Sequence, residues 1–437
     1  MQLNNGYIYR KFGDTYYVIG AAGGSFKLQN RVSCLMFEAM LNASSLSEAR
    51  ERFVDGFEPD HRVAAGAGFD KVAWLCNVKY SIFCFSDRKP NRRYVESDIF
   101  QELYRKAGEP SRVTQCHIEL TDRCNFKCSM CYLMPITRQQ GGRALNAADF
   151  TRILGLLEAD GLIELTLTGG EPFANPEVLE ILRILEGRNI FVIVNTNGSI
   201  LTDELLEALR RIRVGSIEIS VYGFSENEYE KVTGRRALAR VLANAERLKA
   251  AGLPVRLKYT LQQDNAGGVR AFKTYCLRMG MPHVITRGIL MPDVTGGCTP
   301  ARGLPQEEIE KLCLEGVINL PEPSKTCSVV GCRPAKSRLT IDPSGDVFPC
   351  ENLRLRLGNL LTGNTSELLG PGNRRLAAIA AVPAPEDSAC AACQVKMFCS
   401  AKACPAAMYA VHGRLAGRYE PACRQAALFD KIRNKMK

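Results

Sequence analysis

The chain has 437 residues, of which 46% are hydrophobic, 24% are charged and 8% are aromatic. This composition supports a sizeable buried core and excludes a disordered chain, and the length indicates more than one domain. No segment approaches a run of about 20 apolar residues, and the first twenty residues lack the pattern of a signal peptide, so we expect a cytoplasmic protein with no membrane partner. A formal net charge of +11 is by itself typical of proteins with an anionic partner.

Residues 1–86 predict a small α+β domain. Two alternating segments, Tyr7–Phe12 and Thr15–Ile19, predict a hairpin. Helical patterns follow at Asn30–Leu41, at Ser45–Val54 and from Asp60 to Trp74, before a short apolar return segment at Tyr80–Phe85. This order predicts a winged-helix-like domain. Residues 87–112 begin with a charged stretch that contains proline, and they predict a linker with a short bridging helix.

From residue 113 to about residue 320, strand and helix patterns alternate. The predicted strands are Val113–Leu120, Leu162–Thr168, Ile190–Asn195, Ser216–Val221, Pro254–Leu261 and His283–Ile289. The predicted helices are Ala147–Ala159, Pro176–Glu186, Asp203–Arg211, Ala237–Ala251 and Val269–Met279. Six βα repeats predict an α/β fold with a parallel sheet, either open or closed into a partial barrel, that binds ligands at the carboxyl ends of its strands.

Cysteine is the unusual part of the composition. There are 18 cysteines, and nine of them come after residue 312, in a part of the chain that is poor in long periodic elements. In a reducing compartment, cysteines at short spacings are more often metal ligands than disulfides. We therefore expect metal sites to stabilise residues 321–437. Cys34, Cys76, Cys116 and Cys276 instead lie in apolar periodic runs, which predicts core positions.

The first cysteine group follows directly on the first strand of the repeats. Cys124, Cys128 and Cys131 have the spacing C-x3-C-x2-C. Three thiolates are one short of the four ligands of a [4Fe-4S] cluster, so one iron is left to bind a small chelating molecule. Structural zinc usually takes four protein ligands, and no fourth Cys or His lies nearby in the sequence.

This loop resembles the cluster-binding loop of the radical S-adenosylmethionine (SAM) enzymes, in which an aromatic residue follows the third cysteine, as Tyr132 does here. Gly169, Gly170 and Glu171 resemble the glycine-rich edge that contacts the methionine part of SAM, and Ser220 resembles a position that contacts its polar groups. The resemblance implies a partial (β/α)6 barrel and reductive cleavage of SAM to a 5′-deoxyadenosyl radical, which abstracts a substrate hydrogen. Cofactors carry that chemistry, and no general acid or base is predicted.

The second cysteine group contains eight thiols, a count that fits two four-ligand sites. Two structural zinc sites are one interpretation. Beside a radical SAM core, the pattern resembles the SPASM extension, which holds two auxiliary [4Fe-4S] clusters and would bring the total to three. The resemblance implies that the ligands of the first are Cys327, Cys332, Cys350 and Cys404, and that those of the second are Cys390, Cys393, Cys399 and Cys423.

Residues 1–86 resemble the leader-recognition element of enzymes that modify ribosomally made peptides, which binds a precursor's leader by strand addition. The resemblance implies a precursor peptide as substrate and an electron donor such as flavodoxin or ferredoxin. We expect a Cys thioether crosslink. Carbon–carbon or carbon–oxygen crosslinking, epimerisation and formylglycine formation on a sulfatase are alternatives, as are a structural cap for the first domain and an iron–sulfur DNA-binding regulator. The first domain's helices lack clustered Lys and Arg, so we expect no nucleic-acid partner.

Overall fold

The computed structural model describes residues 4, 6–20, 25–79, 82–83, 113–131, 133, 142–287, 290–292, 298–300, 303–320, 338–369, 372–382, 392–399 and 404–436. The predicted linker and bridging helix, most of the return segment, Tyr132, Cys327, Cys332 and Cys390 lie outside these residues. The described residues form two large hydrophobic cores, one in the first 83 residues and one around the central sheet.

The first core lies between a three-stranded antiparallel sheet and three helices. The strands are β1 (Tyr7–Phe12), β2 (Thr15–Gly20) and β3 (Phe26–Leu28), in the order β1-β2-β3. The helices are α1 (Arg31–Leu41), α2 (Leu46–Asp55) and α3 (Arg62–Trp74). Asn30 and Ser45 cap α1 and α2 with side-chain oxygens that accept backbone N–H groups. Strand β3 was not predicted, because three residues are too few to show an alternating pattern.

The central sheet confirms the predicted α/β fold with a mostly parallel sheet. Its strands from the repeats are β4 (Gln115–Glu119), β5 (Glu164–Thr168), β6 (Phe191–Thr196), β7 (Val214–Val221), β8 (Val255–Leu261) and β9 (His283–Arg287). They lie side by side in sequence order, and all five pairings are parallel. The helices between them are α4 (Ala147–Asp160), α5 (Val178–Ile184), α6 (Asp203–Arg211), α7 (Glu226–Thr233), α8 (Leu238–Ala250) and α9 (Val269–Arg278).

The C-terminal part of the chain extends this sheet at its β4 edge. Strand β12 (Arg338–Ile341) pairs parallel with β4, and β13 (Asp346–Phe348) and β14 (Gly358–Asn359) continue antiparallel from it. The other elements are β10 (Leu290–Pro292), β11 (Cys298–Pro300), α10 (Gln306–Leu314), α11 (Thr365–Leu368), α12 (Arg374–Ala380), α13 (Pro405–His412) and α14 (Glu420–Met436). Leu339 and Ile432 belong to the same core as the sheet, so the C-terminal elements pack on the repeats rather than on a core of their own. None of the helices in the described ranges has the length and apolar character needed to cross a membrane.

The outer edge of β1 is hydrogen-bonded to residues that lead into strands of the central sheet. The backbone N–H of Tyr9 donates to Asn189 Oδ1 at 3.1 Å, and Asn189 Nδ2 donates back to the Tyr9 carbonyl at 3.0 Å. Arg213 Nε donates to the Tyr7 carbonyl at 3.0 Å. Asn189 lies two residues before β6 and Arg213 directly before β7, so the first domain lies at the amino ends of these strands, opposite the edge where ligands are expected.

Candidate functional site

The loop that carries the first cysteine group leaves the carboxyl end of β4 and is fixed by backbone hydrogen bonds on two sides. On one side, the N–H groups of Gly170 and Glu171 donate to the carbonyls of Thr121 and Arg123 at 2.7 and 2.8 Å. On the other side, the N–H groups of Lys127 and Ser129 donate to the carbonyls of Thr233 and Val232, both at 2.9 Å. The sheet and helix α7 therefore set the loop's backbone.

Helix α7 is the part of this site that the sequence prediction missed. Its last turn supplies the two carbonyls that hold the loop, and Tyr229 packs edge-to-face on Phe126 with ring centroids 6.0 Å apart. The signal was present in the sequence, because Ser225 caps the first turn through the N–H of Glu228 and Gly234 ends the helix with φ +70°.

The glycines after β5 are required by the cysteine loop itself. A Cβ on Gly170 would lie 2.2 Å from the Arg123 carbonyl oxygen, and a Cβ on Gly169, whose φ is +121°, would lie 2.5 Å from that of Thr121. We expected glycine here because backbone would approach a ligand, but the close approach in the structure is to residues 121–123. The contacts of Gly169 and Gly170 with SAM stay a prediction.

Glu171 is fully buried, and its carboxylate joins β5 to β6. It accepts hydrogen bonds from Thr196 Oγ1 at 2.7 Å, from the N–H of Asn197 at 2.8 Å and from the N–H of Phe173 at 3.2 Å. Burial raises the pKa of Glu171 to about 7, although these three donors favour the carboxylate. Its expected contact with SAM also stays a prediction.

The three thiols of the loop lie close enough to act on one another. Cys124 is exposed as a residue, but loss of hydration around its thiolate raises the pKa of Cys124 to about 11. The charges of Glu171 and Cys131 add to this shift. Burial, with the charges of Cys131 and Cys124, also raises the pKa of Cys128. Three mutually repelling thiolates need a positively charged partner. Across the described residues, no three acidic, His or Cys side chains converge on a point that a single metal ion could occupy. Cys thiolates are the usual protein ligands of iron–sulfur clusters, and the binding of one by this loop stays a prediction.

Ser220 lies near the carboxyl end of β7, on the side of the sheet that carries Ser216 and Glu218. Glu218 was not singled out from the sequence, although a carboxylate inside a strand is an unusual feature. It is 2% exposed and binds Ser216 Oγ at 2.6 Å, Arg256 Nη2 at 2.7 Å and Lys258 Nζ at 3.0 Å. Burial opposes the charged form, but Arg256 and Lys258 outweigh it, and the pKa of Glu218 is lowered. Ser220 therefore shares its side of the sheet with a charged cluster formed by Glu218, Arg256 and Lys258.

The described cysteines of the second group separate into two neighbourhoods. Cys350 is buried, burial raises its pKa to about 11, and the charge of Cys404 adds to that shift, so these two thiols are neighbours. Arg418 Nε donates to Cys423 Sγ at 3.3 Å, and Cys393 contributes to the same raised pKa of Arg418. The division of the eight thiols into two ligand sets stays a prediction.

The core predictions for four thiols outside the two groups are confirmed. Cys34, Cys76, Cys116 and Cys276 are all buried.

Comparison with known sequences confirms the resemblance to radical SAM enzymes. Residues 118–262 match the sequence model of the Radical SAM superfamily. Curated relatives include the PqqA peptide cyclase of Methylobacterium sp., 27% identical over 248 residues that cover 53% of this chain and 65% of the relative. The probable GTP 3′,8-cyclase of Thermococcus kodakarensis is 30% identical over 166 residues, which cover 37% and 51%. The chain spans less than two thirds of the length of these curated relatives.

Comparison with solved structures extends the likeness to most of the chain. Streptococcus suis SuiB bound to S-adenosylmethionine matches with a TM-score of 0.58 and 14% identity, over 91% of this chain and 94% of SuiB. Native anSMEcpe with bound AdoMet matches with a TM-score of 0.56 and 16% identity, over 73% of this chain and 98% of that protein. At these identities, the likeness shows a shared fold.

Proposed function

We propose that this chain, in which residues 118–262 are a radical SAM domain, is a peptide maturase that cleaves SAM reductively and abstracts a hydrogen from a ribosomally made precursor peptide. The observation that carries the proposal is the cysteine loop, held on two sides at the carboxyl end of a parallel sheet. Two further likenesses support a peptide substrate. A curated relative is a PqqA peptide cyclase, and SuiB bound to its precursor peptide SuiA shares the fold over 91% of this chain.

Cys124, Cys128 and Cys131 would hold the [4Fe-4S] cluster that binds SAM. Such a cluster, when bound, supplies the electron for SAM cleavage. The chain itself orients the three thiolates through the backbone hydrogen bonds of the loop. It also places Ser220 on the same side of the sheet as the ion pair of Glu218 and Lys258. Gly169, Gly170, Glu171, Ser220 and Tyr132 are the proposed contacts to SAM.

The test of the radical SAM assignment is Cys128→Ala. With an added reductant and SAM, wild-type protein should form 5′-deoxyadenosine, and the variant should form none because its cluster has lost a ligand. Mass spectrometry of the small molecules measures both. Cys276→Ala is a matched control, since this buried thiol is far from the loop in the sequence and should be dispensable for SAM cleavage. Formation of 5′-deoxyadenosine by Cys128→Ala would refute the assignment.

Residues 1–86 would bind the leader of the precursor by strand addition to their antiparallel sheet. Hydrogen exchange of the full chain, with and without the short peptide encoded beside the gene, should show protection in the first domain. Protection confined to the central sheet would contradict a leader-binding role.

The two cysteine neighbourhoods would hold two auxiliary [4Fe-4S] clusters in a SPASM-like C-terminal domain, with Cys327, Cys332, Cys350 and Cys404 on one and Cys390, Cys393, Cys399 and Cys423 on the other. Three clusters predict about 12 iron atoms per chain, and Cys423→Ala should lower this by about 4. Two structural zinc sites would instead give stoichiometric zinc in the same elemental analysis.

The product we propose is a Cys thioether. It predicts that the modified peptide loses two hydrogens and one alkylatable thiol. Carbon–carbon and carbon–oxygen crosslinks lose two hydrogens but keep the thiol, epimerisation leaves the mass unchanged, and formylglycine formation is detected by carbonyl reagents. Reduction in the cell would come from a small redox protein such as flavodoxin or ferredoxin.

A further inference from the structure

An amide side chain on the neighbouring strand points at the sulfur of the first cysteine of the loop. Asn197 follows directly on β6 and is 7% exposed. Its Nδ2 lies 3.9 Å from Cys124 Sγ and donates to Asn125 Oδ1 at 2.8 Å. The backbone N–H of Phe126 also donates to Cys124 Sγ, at 3.4 Å. Two N–H groups therefore face one proposed cluster ligand, one from the loop itself and one from a separate strand.

The orientation of the Asn197 amide is fixed by its neighbours. Its Oδ1 accepts from the backbone N–H of Ser199 at 2.9 Å, and a backbone N–H can only donate, so this end of the amide must be the oxygen. Ser199 Oγ also donates to Oδ1 at 2.6 Å and accepts from Asn125 Nδ2 at 2.8 Å. These bonds and the bond from Asn197 Nδ2 to Asn125 Oδ1 form a closed ring through the three side chains. One N–H of Nδ2 is used in the ring, and the other faces the sulfur.

The backbone of Asn197 is fixed as well. Its N–H donates to the buried carboxylate of Glu171, and Asn244 Nδ2 donates to the carbonyl of the next residue, Gly198, at 2.9 Å. A Cβ on Gly198, whose φ is +71°, would lie 2.6 Å from Ile219, so the turn packs tightly on β7. An amide held this firmly is a pre-oriented donor and loses little conformational freedom when it bonds to a thiolate.

We infer that Asn197 is a positioning residue that donates a hydrogen bond to Cys124 Sγ and thereby raises the reduction potential of the cluster held by this loop. The inference rests on the proposed function, because it requires a cluster on Cys124. A reduced cluster carries one more negative charge than an oxidised one, so an N–H aimed at a ligand sulfur stabilises the reduced form more. The turn at residues 195–198 thus acts on electron transfer to the cluster rather than only reversing the chain.

The experiment is a redox titration of the full holoenzyme followed by electron paramagnetic resonance. The signal to follow is the one that changes when SAM is added, which separates this cluster from any other. Asn197→Leu keeps the branched shape of the side chain, although it is bulkier, and removes the donor. We expect the reduction equilibrium to become about tenfold less favourable, which for a one-electron couple is about 59 mV more negative.

Ser199→Ala is the graded companion variant. It removes one of the two bonds that orient the Asn197 amide and keeps the bond from the Ser199 backbone, so the potential should shift in the same direction by a smaller amount. If Asn197→Leu fails to load iron, Ser199→Ala decides the question alone. An unchanged potential in the variant that loads would overturn the inference. If wild-type protein shows no signal that responds to SAM, the proposed function fails instead.

Discussion

The two cysteine regions of this chain are built in different ways. The loop at residues 120–131 has its backbone bonded to β5, to α7 and to Arg143, so its shape is set by a parallel sheet. The described cysteines of the C-terminal region come from four separate places, namely the turn after β13, a turn at residues 392–399, the residue before α13, and α14. The fold sets the backbone of the first site, whereas we expect the second site to depend also on what its thiols bind.

Iron removal is the strongest test of this difference. Chelation of iron from the intact chain should leave hydrogen-exchange protection in β4–β8 nearly unchanged, because their pairing uses only backbone groups and an apolar core. Residues 392–399 and the helix α13 should lose protection, since short elements of this kind need cross-links to persist. Equal loss in both regions would show that the central sheet also depends on iron.

The second test addresses one of the contacts that join the two regions. Arg354, in the C-terminal region, binds Glu119 at the end of β4, with Nη1 to Oε2 at 3.2 Å. Glu119 is 2% exposed, and burial raises its pKa although Arg354 opposes this. Arg354→Met leaves the carboxylate buried without a counter-charge and should lower the free energy of unfolding by about 3–5 kcal/mol, measured by denaturant titration.

Two further variants separate this effect from a general loss of charge. The double variant Glu119→Gln/Arg354→Met should recover most of the lost stability, because no unpaired charge remains. Arg183→Met breaks an exposed pair with Glu180 on α5 and should change little. If Arg354→Met behaves like Arg183→Met, this ion pair does not join the two regions.

The third test addresses the claim that the sheet sets the shape of the loop. Gly170→Ala would place a methyl group 2.2 Å from the Arg123 carbonyl oxygen, so the loop or the turn must move. We expect a cost of about 1–3 kcal/mol and loss of SAM-dependent chemistry with the C-terminal iron retained. Gly155→Ala is the matched control, since nothing lies within 4 Å of that position in α4 and alanine there should stabilise the helix by about 0.5–1 kcal/mol. Full activity in Gly170→Ala would contradict the proposed coupling.

The sequence predicted the central sheet well because each strand and helix carries its own pattern. The bounds Asp203–Arg211 agree at both ends, and α4 begins at the predicted residue, directly after its capping Asn146. Helix α7 has capping signals at both ends but only eight residues, which is too short for a clear apolar period. The pairing of β12 with β4 joins residues more than 200 positions apart, and no local pattern encodes such a contact.

The candidate site was predictable to the same extent, through features that lie close together in the sequence. Cysteine spacing identified the loop, because ligands close in sequence are close in space. The Asn197 contact with Cys124 and the Glu218 cluster depend on which strands are neighbours, so they were visible only in the folded chain.

The smallest expected effect is a pH dependence at the junction of the two regions. His117 on β4 has Nδ1 3.8 Å from Glu351 Oε2, in the C-terminal region. Burial lowers the pKa of His117 to about 4, with Arg338 and Lys258 lowering it further and Glu351 opposing them.

His117 in the unfolded chain therefore takes up a proton first as the pH falls. The free energy of unfolding decreases as the pH falls from the pKa of His117 in the unfolded chain, about 6.5, towards about 4. Between pH 7 and 5.5 the loss should be about 1 kcal/mol, and His117→Gln should remove that part of the slope in a denaturant titration while leaving the slope above pH 7.5 unchanged. An identical slope in the two proteins below pH 6.5 would mean that His117 is not held neutral at this junction.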